Sequence, residues 1–149
     1  SFRSMDFRTF DDTKTIHMLN AARTRPKHLE DLHFEHLAWI RQFEFCKGEL
    51  EFYRERLGEV AQRNTDKDIL REVEHFQNQF TVQRDVIDRF LHTINLHEDA
   101  LEQDASEQPV ASDHRLHHDH AAEREQFETF ERLYTELRKD FMEHLRRWM

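Results

Sequence analysis

Nine of the 12 histidines, His28, His33, His36, His92, His97, His114, His117, His118 and His120, fall in three stretches interleaved with carboxylates. Imidazole and carboxylate together form the donor set of first-row transition ions, and imidazole also exchanges protons near neutral pH. The local spacings suit ligation. Glu30-x-x-His33 and His33-x-x-His36 place donors at i and i+3, where two side chains on one helix face can reach a common ion. His117-x-x-His120-x-x-Glu123 supplies three donors over about two turns. His97 is flanked by His92, Thr93, Glu98 and Asp99.

Other chemistries find less support. There is no glycine-rich phosphate loop, paired-cysteine zinc unit or His-Glu-x-x-His signature. Cys46 is the only cysteine, which excludes an intrachain disulfide, and it reads as a small core hydrophobe. Glu44, Lys47, Glu51 and Gln83 sit where heptad-edge residues belong, which accounts for their polarity without acid–base catalysis. No protein nucleophile or substrate pocket is legible, so no catalytic residue is assigned. Metal-dependent oxidation would require an open coordination position, with Glu123 or a neighbouring carboxylate as ligand or base.

Composition bounds the class. A chain of 149 residues supports one domain with a real core, and only two glycines and two prolines point to an all-helical protein. A formal net charge of −9 opposes phosphate-backbone binding, so nucleic acid is not an expected partner. No segment approaches the roughly 18 apolar residues of a membrane span, and the opening residues lack the apolar stretch of a signal peptide. Cytoplasmic localisation without integral membrane association is the expectation.

Three helices must position the histidines. Residues 1–26 carry Phe2, Met5, Phe7, Phe10, Ile16, Met18 and Leu19 without a sustained period and are expected to form an arm with a short helix around residues 12–22. The bundle domain is expected to span 27–149. Its first helix runs from about Pro26 to Asn64 with the seam Leu29, Leu32, His36, Trp39, Phe43, Cys46, Leu50, Tyr53, Leu57 and Val60. Gly48 and Gly58 within it suggest close packing or a bend. Thr65 or Asp66 caps a second helix to about Gln103, with the seam Ile69, Val73, Phe76, Phe80, Gln83, Ile87, Phe90, Ile94, His97 and Leu101. Ala105 to Val110 is expected to break helicity, and Ser112 or Asp113 to cap a third helix reaching about Trp148. Its seam is Leu116, His120, Glu123, Phe127, Phe130, Tyr134, Leu137, Phe141, His144 and Trp148. Each helix would hold about 36 residues over about 54 Å.

The fold expected is therefore an elongated antiparallel all-α bundle of three long helices plus an arm. A fourth layer from that arm, or a dimer mate, would complete it. Short turns align His33 and His36 with residues near 96 and 93, and His97 with residues near 121. The candidate metal ligands are His33, His36, His97, His120, Glu123 and Glu30. Asp31, Glu98 and Asp119 could orient a ligating imidazole through its second nitrogen. Mixed nitrogen and oxygen ligation suits a divalent transition metal such as iron, zinc or manganese. His28, His75 and His144 lack a convergent partner set.

At the level of architecture this pattern resembles the histidine- and carboxylate-bearing helical metal bundles of the hemerythrin-like and ferritin-like groups. The resemblance rests on Glu30-x-x-His33 and His120-x-x-Glu123, which echo paired Glu/His spacings. It implies a di-iron or related centre inside four helices, used for dioxygen binding, oxidation or storage. The region departs from those groups in lacking two copies of Glu-x-x-His and a regular series of His-x-x-x-Glu and His-x-x-x-His pairs, and no family is assigned. The competing class is a non-enzymatic interaction or scaffold module. In it the histidines form a structural or pH-sensitive layer, and heptad faces dock a homodimer mate or a partner helix.

Overall fold

The computed structural model describes the backbone of residues 27–107 and 109–149, and side chains over 29–103 and 120–149. The expected arm, and the side chains of His28, His114, Leu116, His117, His118 and Asp119, lie outside the described residues. The chain is an all-α bundle of three long helices: α1 (Lys27–Arg63), α2 (Lys67–Glu107) and α3 (Pro109–Trp148). Among the described residues no helix is long and apolar enough to cross a membrane.

The first turn forms where the sequence places it. Asp66 Oδ1 accepts hydrogen bonds from the backbone N–H groups of Asp68 at 2.8 Å and Ile69 at 3.3 Å, so Asp66 is the N-cap of α2. The second turn differs from expectation. α2 continues to Glu107 and α3 already begins at Pro109, so Ser112 and Asp113 lie inside a helix instead of capping one. Proline is tolerated at a first helical position because its missing N–H has no intrahelical partner there. It also disfavours helical geometry in the residue before it, which agrees with α2 ending ahead of Pro109.

Two compact units share the three helices. The first takes α1 as far as Glu44 together with Phe90 to Arg124. It holds the buried residues Leu29, Leu32, Trp39, Ile40, Phe43, Phe90, Ile94 and Leu101, and with them His33, His36, Glu98, His120 and Glu123. Phe90 packs on Phe43 with ring centroids 4.9 Å apart and meets Trp39 edge-on at 6.2 Å. Trp39 in turn packs against the rings of His36 at 5.6 Å and His120 at 5.0 Å.

The second unit comprises Phe45 to Arg89 and Glu125 to Met149. Its core is a cluster of Tyr53, Phe76, Phe80 and Phe141, in which Phe80 and Phe141 meet edge-to-face at 5.0 Å. Lys47 pairs with Asp88 at 2.7 Å and Arg54 with Thr81 at 2.9 Å, so α1 and α2 run antiparallel. Tyr134 donates to Glu49 at 2.8 Å, and Arg138 donates to the same carboxylate at 2.7 Å. Cys46 is buried, as expected of a core hydrophobe. Lys47 and Glu51 make separate pairs with Asp88 and Arg84. Gly58 needs no close neighbour: a Cβ there would meet nothing within 4 Å, so the close packing expected at this glycine is absent.

Candidate metal centre

The seam that buries Trp39 and Phe43 also turns His36 inward, because the three residues share one heptad face. Glu123 of α3 and Glu98 of α2 meet it there. His33, His36, Glu98, His120 and Glu123 are buried, and His97 is half-buried.

His36 is held at both ring nitrogens. Its Nδ1–H donates to Glu98 Oε1 at 2.6 Å, and its Nε2–H donates to Glu123 Oε2 at 2.8 Å. The second oxygen of Glu98 accepts from His33 Nδ1–H at 2.6 Å, so one carboxylate fixes two imidazoles. His97 Nδ1 lies against Glu123 Oε1. His120 Nδ1 stands 3.1 Å from His36 Nε2 and 3.6 Å from Glu123 Oε2, with its other nitrogen 3.3 Å from Glu35 Oε2. Arg124 clamps Glu35 with two bonds of 2.8 and 2.9 Å. The Trp39 ring stacks on His120 at 5.0 Å.

The electrostatics follow from this geometry. Burial alone would lower the pKa of His36, but the bonds from Glu123 and Glu98 outweigh it and raise the group to about 9. Burial alone would raise Glu98, but His33 and His36 hold it down at about 2. Arg124 holds Glu35 at about 2. His120 moves the other way: burial lowers its pKa, and the neighbouring charge on His36 adds to the effect. The geometry thus biases Glu35 and Glu98 toward the ionised form, His36 toward the protonated form and His120 toward the neutral one.

One donor atom each from His36, His97 and Glu123 lies within 4.8 Å of the others, close enough to surround a single ion. Their chemistry fits a borderline transition cation, since two nitrogens and one carboxylate oxygen are the ligand types such ions accept. The side chain of His97 is 28% exposed while that of Glu123 is 4% exposed, so the triad opens to solvent beside His97. Glu98, bonded to the far nitrogen of His36, stands where a carboxylate would orient a ligating imidazole. The cluster also leaves polar capacity unused. His33 Nε2 is buried without a hydrogen-bond partner among the described residues, an arrangement that costs about 1–3 kcal/mol.

The six residues singled out by spacing are placed unequally. His36, His97 and Glu123 converge, His120 adjoins them, and His33 joins through Glu98. Glu30 sits half-buried in the first turn of α1 and is not a member of the converging group. His92, Asp31 and Asp99 are exposed. Sequence reasoning missed Glu35 and Arg124, whose pairing depends on α1 and α3 running side by side. It also missed the contact of His144 Nδ1 with Glu72 Oε2 at 3.1 Å, where Trp148 donates to the same oxygen at 2.8 Å. The i+4 step from His144 to Trp148 was the available signal.

Fold and site together define a helical bundle with a buried histidine–carboxylate centre. No protein-family model matches the sequence, and neither the curated proteins nor the solved structures contain a significant match.

Proposed function

We propose that the protein binds a divalent transition metal ion through His36, His97 and Glu123, and that dioxygen is the exogenous ligand of the loaded centre. The observation that carries this reading is the convergence of those three donors. Two imidazoles and one carboxylate leave coordination positions open, an arrangement that suits iron(II) and dioxygen, while zinc and manganese accept the same donor types. A bound ion would supply Lewis acidity and a place for an oxygen ligand. The chain's own part is to hold the donors: Glu98 orients His36, Glu123 spans His36 and His97, and Trp39 packs against His36 and His120. His120 is the adjacent donor available to a fourth position.

A second reading has one specific observation in its favour. His36 satisfies both nitrogens on carboxylates, so as an imidazolium it forms a complete buried network without an ion. That favours a structural, pH-sensitive histidine layer in a non-enzymatic interaction or scaffold module.

Element-resolved metal stoichiometry on untagged protein, before and after reconstitution with iron, manganese or zinc, separates the two. The metal reading expects about one bound equivalent, lost in a His97→Ala/Glu123→Ala double variant that keeps its helicity. Trp39, stacked on His120, should report loading as a change in fluorescence in a Trp148→Phe background. Failure to bind any of the three ions would sink the metal reading and leave the second.

A further inference from the structure

Phe34, Phe45 and Phe52 leave large apolar surface in water on α1, at 72%, 59% and 46% exposure. With Ala38, Arg41 and Gly48 they recur at alternating intervals of four and three residues, the spacing of a coiled-coil seam. This stripe is distinct from the buried seam through Trp39, Phe43, Cys46, Leu50 and Tyr53. All six positions lie on one uninterrupted helix, so their alignment is a property of α1 alone. Asp31 and Glu55, one step beyond at either end, are exposed acids and terminate it.

We propose that this stripe is a homodimer interface, in which α1 of one chain pairs antiparallel with α1 of a second copy. The order Phe, Ala, Arg, Phe, Gly, Phe is self-complementary when reversed. Phe34 meets the partner's Phe52, Ala38 meets the partner's Gly48, and Arg41 meets the partner's Phe45. Each contact occurs twice, as a two-fold interface requires. The small pair lets the backbones approach, and the guanidinium lies over an aromatic face with which it interacts favourably. A parallel pairing would instead set Arg41 against Arg41, so like-charge repulsion selects the antiparallel form. The stripe also excludes acids in a chain that has 31 of them.

The area is sufficient for a specific but modest dimer. At roughly 200 Å² per phenylalanine, the exposed parts of the three rings come to about 350 Å² per chain. Adding Arg41, Ala38, Gly48 and flanking stems over about 27 Å of helix brings the pair near the lower bound of about 1,200 Å² for stable interfaces. Association should therefore depend on concentration. The apolar positions of residues 1–26 lack a sustained heptad period, whereas a second α1 supplies the stripe's own order in reverse. The proposal is independent of metal binding.

Sedimentation velocity on the full chain across the micromolar range tests it. The expected result is a monomer–dimer equilibrium that Phe45→Glu weakens at least tenfold while circular dichroism keeps its helical signal. Register is tested by oxidising an equimolar mixture of Ala38→Cys and Gly48→Cys chains; native Cys46 is buried and should contribute little background. The mixture should cross-link and Ala38→Cys alone should not. A chain monomeric throughout the range, a dimer indifferent to Phe45→Glu, or cross-linking of Ala38→Cys alone would each overturn the proposal.

Discussion

Glu98 reaches His33 and His36 at the same distance, 2.6 Å from Nδ1 of each, so a single buried carboxylate sets the tautomer and direction of both imidazoles. With their Nδ1 protons engaged, both rings turn Nε2 away from Glu98. For His36 that nitrogen enters the triad with His97 and Glu123.

Glu98→Gln should therefore weaken metal binding although Glu98 is not one of the triad. An amide can donate or accept but carries no charge, and loss of such an orienting partner typically costs about 10–100-fold in affinity. Isothermal titration with the ion identified by stoichiometry would measure it. An unchanged dissociation constant would mean that His36 is held by the helix alone.

The metal-free protein should be most stable near pH 6.5. His36 is raised from 6.5 to about 9, so its stabilisation is complete below 6.5 and is lost as pH rises through 9. The loss is about 3 kcal/mol, at 1.36 kcal/mol per pKa unit. His120 is lowered, so below 6.5 the unfolded chain takes up a proton that the folded one resists, and stability falls there too. Glu98, held near 2 against an ordinary 4.5, adds a further loss as pH drops below 4.5. Metal affinity should run the other way above pH 6.5, increasing as protons leave His36. Urea midpoints of metal-free protein between pH 4 and 9 check this, and His36→Gln should flatten the alkaline limb.

Gly58→Ala should stabilise the protein by about 0.5–1 kcal/mol. The glycine sits inside α1, its Cβ position is open, and its φ is not positive, so alanine gains helix propensity without a clash. Thermal unfolding should show a rise of a few degrees. A fall would mean that the backbone near Gly58 needs freedom the folded helix does not display.

The heptad seams were legible because helix burial is periodic: the seam of α1 read from spacing is buried at each of its ten positions. The polar positions inside the seams were legible for the same reason. His36, His120 and Glu123 interrupt apolar runs, and a helix that buries its seam must bury them too. Less legible was the register between helices. The turn alone aligned His36 with residue 93, whereas the folded chain sets it against Glu98, about a turn away. Long side chains reach along the helix axis, and neither turn length nor periodicity fixes that offset.

Sequence alone thus determined three long helices, which side of each faces inward, and that imidazoles and carboxylates lie on that side. These follow from local periodicity, which a single helix already obeys. Tertiary structure decided which of those donors share a centre. It brought Glu98 under two histidines, set Arg124 on Glu35 beside His120, and left Glu30 outside the converging group. Such choices depend on packing between helices, where a shift of one turn exchanges one charged partner for another, and no property of an isolated segment records that shift.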